Sequence, residues 1–500
     1  MTKIHLQREP KLEAKLSAFS YQREAFESIK DLEYSAIFHE QGLGKTKIAI
    51  DLMLYWLENK IVDTVLLVTK KHLVANWQRE LAMHSYITPR ELTQNRSANF
   101  YVFNSPARTV LTYYEVLKSE LRRLKLFLRT RDVAVILDES TKIKNPDSGL
   151  TVAFFELAPL FKKRVIMTGT PIANRPEDIW AQIFFLDQGK SLGDDFSRFK
   201  REVNLSNELA DDKDLQNTFE VGLQDIQKNI SRFSVRENKN SGVISLPSKH
   251  YKDICCDWEH RQLDLYTQVR DDLTAVVIKE GVPTLDKSDD ILKRLLRLVQ
   301  ISSNPILVDS SYKANPGKLD YLLDLTTRIR AQKEKGIIWT SFTDNVDFLC
   351  RKLLKYNAVR VHGQLGIHAR ILAIKRFLEN PEVGFLVATP GAAKEGFTLT
   401  VANHVIFYDR TFSLDDYLQA QDRIHRISQT KECYVYKLIM PDSIDEWVDA
   451  LIHAKHLAAQ LAQGDITEEF YKNEMTYDFG TILKSVLKMD RGVVKDAGRN

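Results

Sequence analysis

Five hundred residues exceed what one ordinary hydrophobic core serves, so at ~150 residues per domain the chain should divide into two to four domains. An apolar content of 44% beside 28% charged residues is that of a globular protein, and no run approaches the ~20 apolar residues that span a bilayer, which excludes a helical membrane protein. The net charge of +4 permits a local basic groove for nucleic acid without demanding one, and the four cysteines (Cys255, Cys256, Cys350, Cys433) lack metal-ligand spacing and fit a reducing cytosolic or nuclear compartment.

Met1 to Lys15 mixes Lys, Arg and Glu and has no apolar segment of a secretory signal. Phe19-Ser20-Tyr21-Gln22 then opens an amphipathic helix running toward Ile29. A short apolar run, Ala36-Ile37-Phe38, leads into His39-Glu40-Gln41-Gly42-Leu43-Gly44-Lys45-Thr46 and a helical pattern from Lys47 to Leu57. Strand, glycine-bearing loop and helix in this order read as a phosphate-binding loop, with a glycine-containing turn that holds no nucleotide as the alternative: Gly42 and Gly44 allow a tight turn of inward N–H groups, and the helix adds its positive end. Lys45 would reach the β- and γ-phosphates and the Thr46 hydroxyl would ligate Mg2+. The longer form of the motif has glycine where this chain has His39, so the match is to Gly-x-Gly-Lys-Thr.

Downstream, apolar β-branched runs alternate with helical patterns. Strands are predicted at Thr64 to Thr69, Tyr101 to Phe103, Val110 to Tyr114, Val133 to Leu137 and Val165 to Met167. Such alternation argues a parallel sheet covered on both faces, with ligands at the carboxyl ends of its strands. Val135-Ile136-Leu137-Asp138-Glu139-Ser140 ends one of these strands in two carboxylates. Beside a Mg2+–nucleotide site, Asp138 can support the metal and Glu139 can orient and deprotonate the attacking water. Thr168-Gly169-Thr170-Pro171 ends the next strand with two hydroxyls able to sense a γ-phosphate, although the same turn suits an unrelated fold.

From about 185 to 245 the strand pattern lapses, and Glu237-Asn238-Lys239-Asn240-Ser241-Gly242 reads as a linker. Residues 257 to 300 are helical, with cations on the run Lys293-Arg294-Leu295-Leu296-Arg297-Leu298 that suit a solvated face or a DNA contact. A second α/β pattern begins at Lys318, with strands at Gly336 to Phe342, Val359 to His362, Phe385 to Thr389, His404 to Tyr408 and Tyr434 to Leu438, and no phosphate loop of its own. It ends in Gln419-Ala420-Gln421-Asp422-Arg423-Ile424-His425-Arg426-Ile427-Ser428-Gln429, where Arg423 and Arg426 are expected on one face of a helix. Two guanidinium groups can stabilise a transferring phosphoryl group; a salt-bridged surface helix is the alternative. His453, Lys455 and His456 read as solvated helix residues, and the tail shows no further chemistry.

Taken together the motifs resemble superfamily 2 helicase motors, and within them the SNF2 family of DNA translocases, over residues from about 15 to 450. Phe19 to Gln22 is similar to the family's adenine-reading glutamine motif, and Gly42 to Thr46 to its Gly-Leu-Gly-Lys-Thr. Leu66 to Glu80, with Asn76-Trp77, and Thr112-Tyr113 resemble motifs that touch the DNA backbone. Asp138-Glu139 with Lys142-Ile143-Lys144-Asn145, and Thr168 to Asn174, resemble the second and third motifs. Pro316-Gly317-Lys318-Leu319 resembles the entry to the second lobe, and Gln419 to Gln429 the arginine-finger motif.

The resemblance implies an α/β fold of two tandem RecA-like parallel-sheet lobes with helical protrusions. It divides the chain into an ATP-binding lobe (1–243), a linker and helical protrusion (244–317), a second lobe (318–455) and a helical tail (456–500). It implies ATP and Mg2+ as cofactors, catalysis by Lys45, Asp138, Glu139, Arg423 and Arg426, and nucleotide contacts from Gln22, Gly42, Leu43, Gly44, Lys45, Thr46 and Gly396. Thr46 and Asp138 would hold the metal, and Lys70, Thr112, Tyr113, Thr170 and Thr389 would contact DNA.

The chain departs from the family at Thr141, where His is usual, at Ser428, where glycine is usual, and at Ala392 to Leu399, which replaces a double-glycine segment. The segment Ala392 to Leu399, with Asp138-Glu139-Ser140, most resembles the annealing-helicase and bacterial or phage-type branch, and the chain is expected to be a monomer, cytoplasmic rather than nuclear. The expected activity is DNA-stimulated ATP hydrolysis with sequence-independent translocation on duplex or branched DNA. A motor subunit of a restriction or phage-defence complex and a non-hydrolysing nucleic-acid scaffold are the alternatives.

Overall fold

The computed structural model describes residues 9–239, 241–280, 289–392 and 398–487, which form two compact units. The first comprises Met1–Asn204, Thr218–Ile244 and Ala459–Thr467, and the second Leu205–Asn217, Ser245–Ala458 and Glu468–Asn500.

Seven strands build the sheet of the first unit: β1 (Tyr34–Ile37), β2 (Thr64–Thr69), β3 (Arg90–Glu91), β4 (Thr109–Tyr113), β5 (Val133–Asp138), β6 (Lys163–Met167) and β7 (Ser234–Val235). They lie in the order β3-β4-β2-β5-β6-β1-β7 with every pairing parallel. The central strands are continuous apolar runs because both faces are covered: every residue of β2, β4 and β6 is buried. The helix Lys45–Glu58 lays Ile48, Leu52, Met53 and Trp56 on one face, against Val65, Leu67 and Ile136. With all strands parallel, their carboxyl ends share one edge, where the polar clusters of this unit collect.

The second unit holds six parallel strands: β8 (Lys249–Cys255), β9 (Gly336–Trp339), β10 (Val359–Val361), β11 (Phe385–Ala388), β12 (His404–Phe407) and β13 (Cys433–Ile439), in the order β10-β11-β9-β12-β13-β8. Alternation along β9 sends Ile337 and Trp339 into one core and Ile338 into the other, so this sheet too is packed on both faces. No described helix is long and apolar enough to cross a membrane.

Four expectations need correction. Tyr101 to Phe103 is not a strand but the end of a helix, Arg96–Phe103, capped by the Asn95 carboxamide, which accepts from the N–H groups of Ser97 and Ala98 at 3.1 Å each. Tyr101 is 74% exposed there, so its aromatic character serves no sheet. The segment 244–317 is not wholly linker and protrusion, since it supplies β8, which pairs with β13 along seven residues. Nor is Glu237 to Lys239 a free linker: the Glu40 N–H donates to the Glu237 carbonyl at 2.8 Å and the Lys239 N–H to the Glu40 carboxylate at 2.8 Å. Lys455 is not solvated; it is buried and its ammonium donates to the Phe412 carbonyl at 2.7 Å.

Candidate functional site

The loop after β1 needs its glycines. Gly42 (φ 90°) and Gly44 (φ 73°) both take left-handed backbone, and a Cβ on Gly44 would lie 2.2 Å from Gln22 Nε2. That amide is packed under the loop. Gln22 Nε2 donates to the Leu43 carbonyl at 3.2 Å, the Tyr21 hydroxyl donates to the same oxygen at 3.2 Å, and Gln22 Oε1 accepts the Phe19 N–H at 3.0 Å. Gln22, expected to meet adenine, thus braces the loop backbone with the nitrogen of its amide, while the oxygen caps its own helix at Phe19. Lys45 starts the helix and donates to the carbonyls of His39 at 2.9 Å and Glu40 at 3.4 Å. Burial pulls its pKa down to about 8, against the opposing pull of Glu139 and Asp138.

Asp138, the last residue of β5, is oriented by two donors on one oxygen: Thr69 Oγ1 and Trp77 Nε1, each 2.8 Å from Oδ2. Burial raises its pKa, with Glu139 the next cause and these two hydrogen bonds opposing. Its main-chain carbonyl accepts the Tyr114 hydroxyl at 2.8 Å. Glu139 has left-handed backbone (φ 55°, ψ 51°), which a non-glycine residue adopts at a cost of order 1 kcal/mol. Its carboxylate pairs with Lys70 at 3.1 Å. Ser140 donates to Gln182 Oε1 at 2.7 Å, and Gln182 Nε2 donates to the Pro171 carbonyl at 2.8 Å, which ties the β5 turn to the β6 turn.

In the β6 turn, Gly169 lies close enough to the phosphate loop that a Cβ would meet Gln41 Cγ at 2.7 Å and Lys45 Nζ at 3.3 Å. The Thr168 hydroxyl accepts the Thr170 N–H at 3.2 Å and both threonines are buried. The first unit therefore gathers Gln22, Gly42 to Thr46, Asp138, Glu139, Lys70 and the Thr168 to Thr170 turn at adjacent strand ends. Of the other candidates for DNA contact, Thr112 is 1% exposed and its hydroxyl donates to the Leu92 carbonyl at 3.1 Å, while Tyr113 is buried beneath Lys71, whose ammonium lies 5.7 Å from its ring centre. Sequence reasoning did not single out Thr69, Tyr114 or Gln182; a hydroxyl or amide carries no signal until its distant partner is known.

The second unit places Thr389 at the end of β11, buried, with its N–H on the Val361 carbonyl at 3.1 Å. Arg423 and Arg426 do not lie on a helix as expected. The helix Leu414–Gln421 stops before them, and both sit in the turns that follow. Gln429 fixes those turns by donating to the carbonyls of Ala402 at 2.9 Å and Ile424 at 3.0 Å. Arg423 is buried; Arg426 is half-buried and donates to Asp422 O at 2.9 Å and Thr398 Oγ1 at 3.0 Å. Gly396 lies outside the described residues.

His39 is 2% exposed and stacks on Tyr21 with ring centres 6.0 Å apart. Burial, and after it the Lys45 ammonium, pull its pKa down to about 4. The unfolded chain therefore binds more protons between pH 6.5 and about 4, and stability is lost as pH falls through that window, at up to about 1.4 kcal/mol for each pH unit. Melting temperatures at pH 7 and pH 5 check this: His39→Asn should lose less than the parent on acidification, and an equal loss would assign the acid sensitivity elsewhere.

Family models match both parts of the chain. The SNF2-related domain matches residues 21–307 and the helicase conserved C-terminal domain matches residues 317–428. The chain is 29% identical to the putative ATP-dependent helicase/translocase YwqA of Bacillus subtilis, over 86% of this chain and 47% of that protein. It is 28% identical to the probable ATP-dependent DNA helicase CHR12 of Arabidopsis thaliana, over 81% of this chain and 38% of that one, so it spans less than half of these relatives. A solved Sulfolobus solfataricus SWI2/SNF2 ATPase core in complex with dsDNA is 25% identical, covering 94% of this chain and 99% of that one at a TM-score of 0.43. The SNF2-related match alone takes in more than half of the sequence, and the chain belongs to the SNF2-related family.

Proposed function

We propose that the protein is an ATP-driven DNA translocase, which hydrolyses ATP to ADP and phosphate when it binds DNA and moves along duplex or branched DNA without reading sequence. The observation that carries this reading is the convergence of Lys45, Asp138 and Glu139 at neighbouring strand ends of one unit, with Lys70 paired to Glu139. Lys45 holds the β- and γ-phosphates, Glu139 orients the attacking water and takes its proton, and Arg423 with Arg426 contributes charge from the second unit. The DNA candidate Lys70 touches the hydrolytic carboxylate, so phosphate contacts and turnover have a common element.

The donor chemistry also fits Mg2+. Thr46, the second residue of the helix Lys45–Glu58, offers a hydroxyl, and both hydrogen bonds to Asp138 fall on Oδ2, which leaves Oδ1 for the ion or its water. Among the described residues no three His, Cys, Asp or Glu side chains converge, as suits an ion completed by nucleotide and water. When bound, Mg2+ neutralises charge on the phosphate oxygens.

We further read the chain as a cytoplasmic monomer of the annealing-helicase or bacterial and phage-type branch, which remodels, anneals or branch-migrates its substrate. ATP turnover with and without duplex DNA tests the central claim. Duplex should raise the rate several-fold, and the stimulation should fade between about 50 and about 200 mM salt as counterions compete for phosphate contacts. An unchanged rate sinks the reading. Forked, Holliday and plain duplex substrates then separate annealing and branch migration from simple translocation.

A further inference from the structure

The long helix Ile444–Gln463 ends in a sequence that fixes the direction of the next residue. Gly464 takes φ 75°; its N–H donates to the Leu461 carbonyl at 3.0 Å, and the Asp465 N–H reaches back to Gln460 at 2.9 Å. This double closure needs glycine, and it aims Asp465. The Asp465 carboxylate meets a fork: Arg236 Nε donates to Oδ1 at 2.8 Å and Nη2 to Oδ2 at 2.5 Å, with the two side chains 18% and 10% exposed. The remaining arm, Nη1, donates to the Phe38 carbonyl at 2.5 Å. Phe38 is the last residue before the phosphate-binding loop, and its own N–H continues the β1–β7 pairing to the Val235 carbonyl at 2.8 Å.

A bidentate carboxylate holds the guanidinium plane, and the plane fixes where the third arm points. We propose that Asp465 is a positioning residue for the phosphate-binding loop, acting through Arg236 on the Phe38 carbonyl, so that the segment after the long helix sets how firmly the loop grips a nucleotide. The chain makes the pieces of this clamp 229 residues apart. Once Arg236 is fixed, the next residues reach the loop as well: the Glu237 carbonyl takes the Glu40 N–H, and the Lys239 ammonium lies 3.5 Å from the Glu40 carboxylate. Removing Asp465 leaves a largely buried guanidinium with a carbonyl but without its counter-ion, and the arrangement should loosen at the loop entry.

The nucleotide part of this inference rests on the ATP-binding role proposed above; the loop part does not. The test uses the full chain carrying Asp465→Asn, and Gly464→Ala, which keeps the carboxylate but strains the turn that aims it. Amide hydrogen exchange in peptides covering 37–46 and 234–239 should quicken about tenfold in both variants. The Kd for ATP with Mg2+ should weaken about three- to tenfold, with turnover at saturation held within about twofold. Asp465→Glu should restore part of the loss. Unchanged exchange in Asp465→Asn overturns the proposal, as does quickening spread across the whole first unit, which would make the pair a general fold contact. If loop exchange quickens while the parent neither binds nor hydrolyses ATP, the clamp stands and the motor reading falls.

Discussion

Glu139→Gln is expected to lower ATP turnover by roughly two to three orders of magnitude while leaving the Kd for ATP within about twofold. The side chain keeps its length and an oxygen for the Lys70 ammonium, but it can no longer accept the proton of the attacking water. Its partner Asp138 should be little disturbed, because Thr69 and Trp77 hold that carboxylate independently of Glu139. Loss of one negative charge also relieves part of what raises the Asp138 pKa, second to burial, so the Asp138 carboxylate ionises more readily in the variant. Single-turnover and steady-state rates with saturating duplex check the expectation. A variant that hydrolyses at the parental rate would remove Glu139 from the chemistry and with it the main support for a water-activating role at the end of β5.

Lys45→Ala should remove most nucleotide binding. A charge-assisted contact to phosphate is worth about 1.5–3 kcal/mol, so the Kd for ATP should rise roughly ten- to a hundredfold and turnover should fall below detection. DNA affinity, measured by fluorescence anisotropy, should stay close to parental, since the ammonium is spent on the loop's own carbonyls of His39 and Glu40 and not on an outer surface. The pH dependence gives a sharper signature. With its pKa pulled down to about 8, Lys45 begins to lose its proton within the assay range, so ATP binding to the parent should weaken as pH rises through about 8. Lys45→Arg stays charged at those pH values and should lose that dependence even if its fit is poorer. A parental Kd flat from pH 7 to pH 9 would show that Lys45 keeps its proton across that range.

Several features of the site were legible because the physics that makes them is local. A phosphate loop needs glycine at fixed spacing, and an apolar strand that ends in Asp138-Glu139 announces its carboxylates whatever surrounds it. Strand prediction failed where neighbours decide. Tyr101 to Phe103 has strand-like composition, but the Asn95 cap and an exposed position make it helical. β8 was hidden for the opposite reason: its pattern is mostly exposed and polar, and it is a strand because β13 offers it a backbone ladder. Arg423 and Arg426 have helical spacing, yet the helix stops at Gln421 and Gln429 ties the turn that follows to the Ala402 carbonyl. Contacts such as Trp77 on Asp138 or Asp465 on Arg236 join residues 61 and 229 positions apart, and no periodicity announces them.

The first unit takes residues Ala459–Thr467 into its fold after the chain has already laid down every strand of the second sheet. During synthesis the phosphate loop and its sheet can therefore assemble early, but the loop entry waits for Asp465, which follows the last strand of the second sheet. A nascent chain stopped anywhere before that point would carry the Gly-Leu-Gly-Lys-Thr sequence without the finished seat for it. The order of translation thereby delays a fully seated loop until the half of the chain bearing Arg423 and Arg426 has also been made.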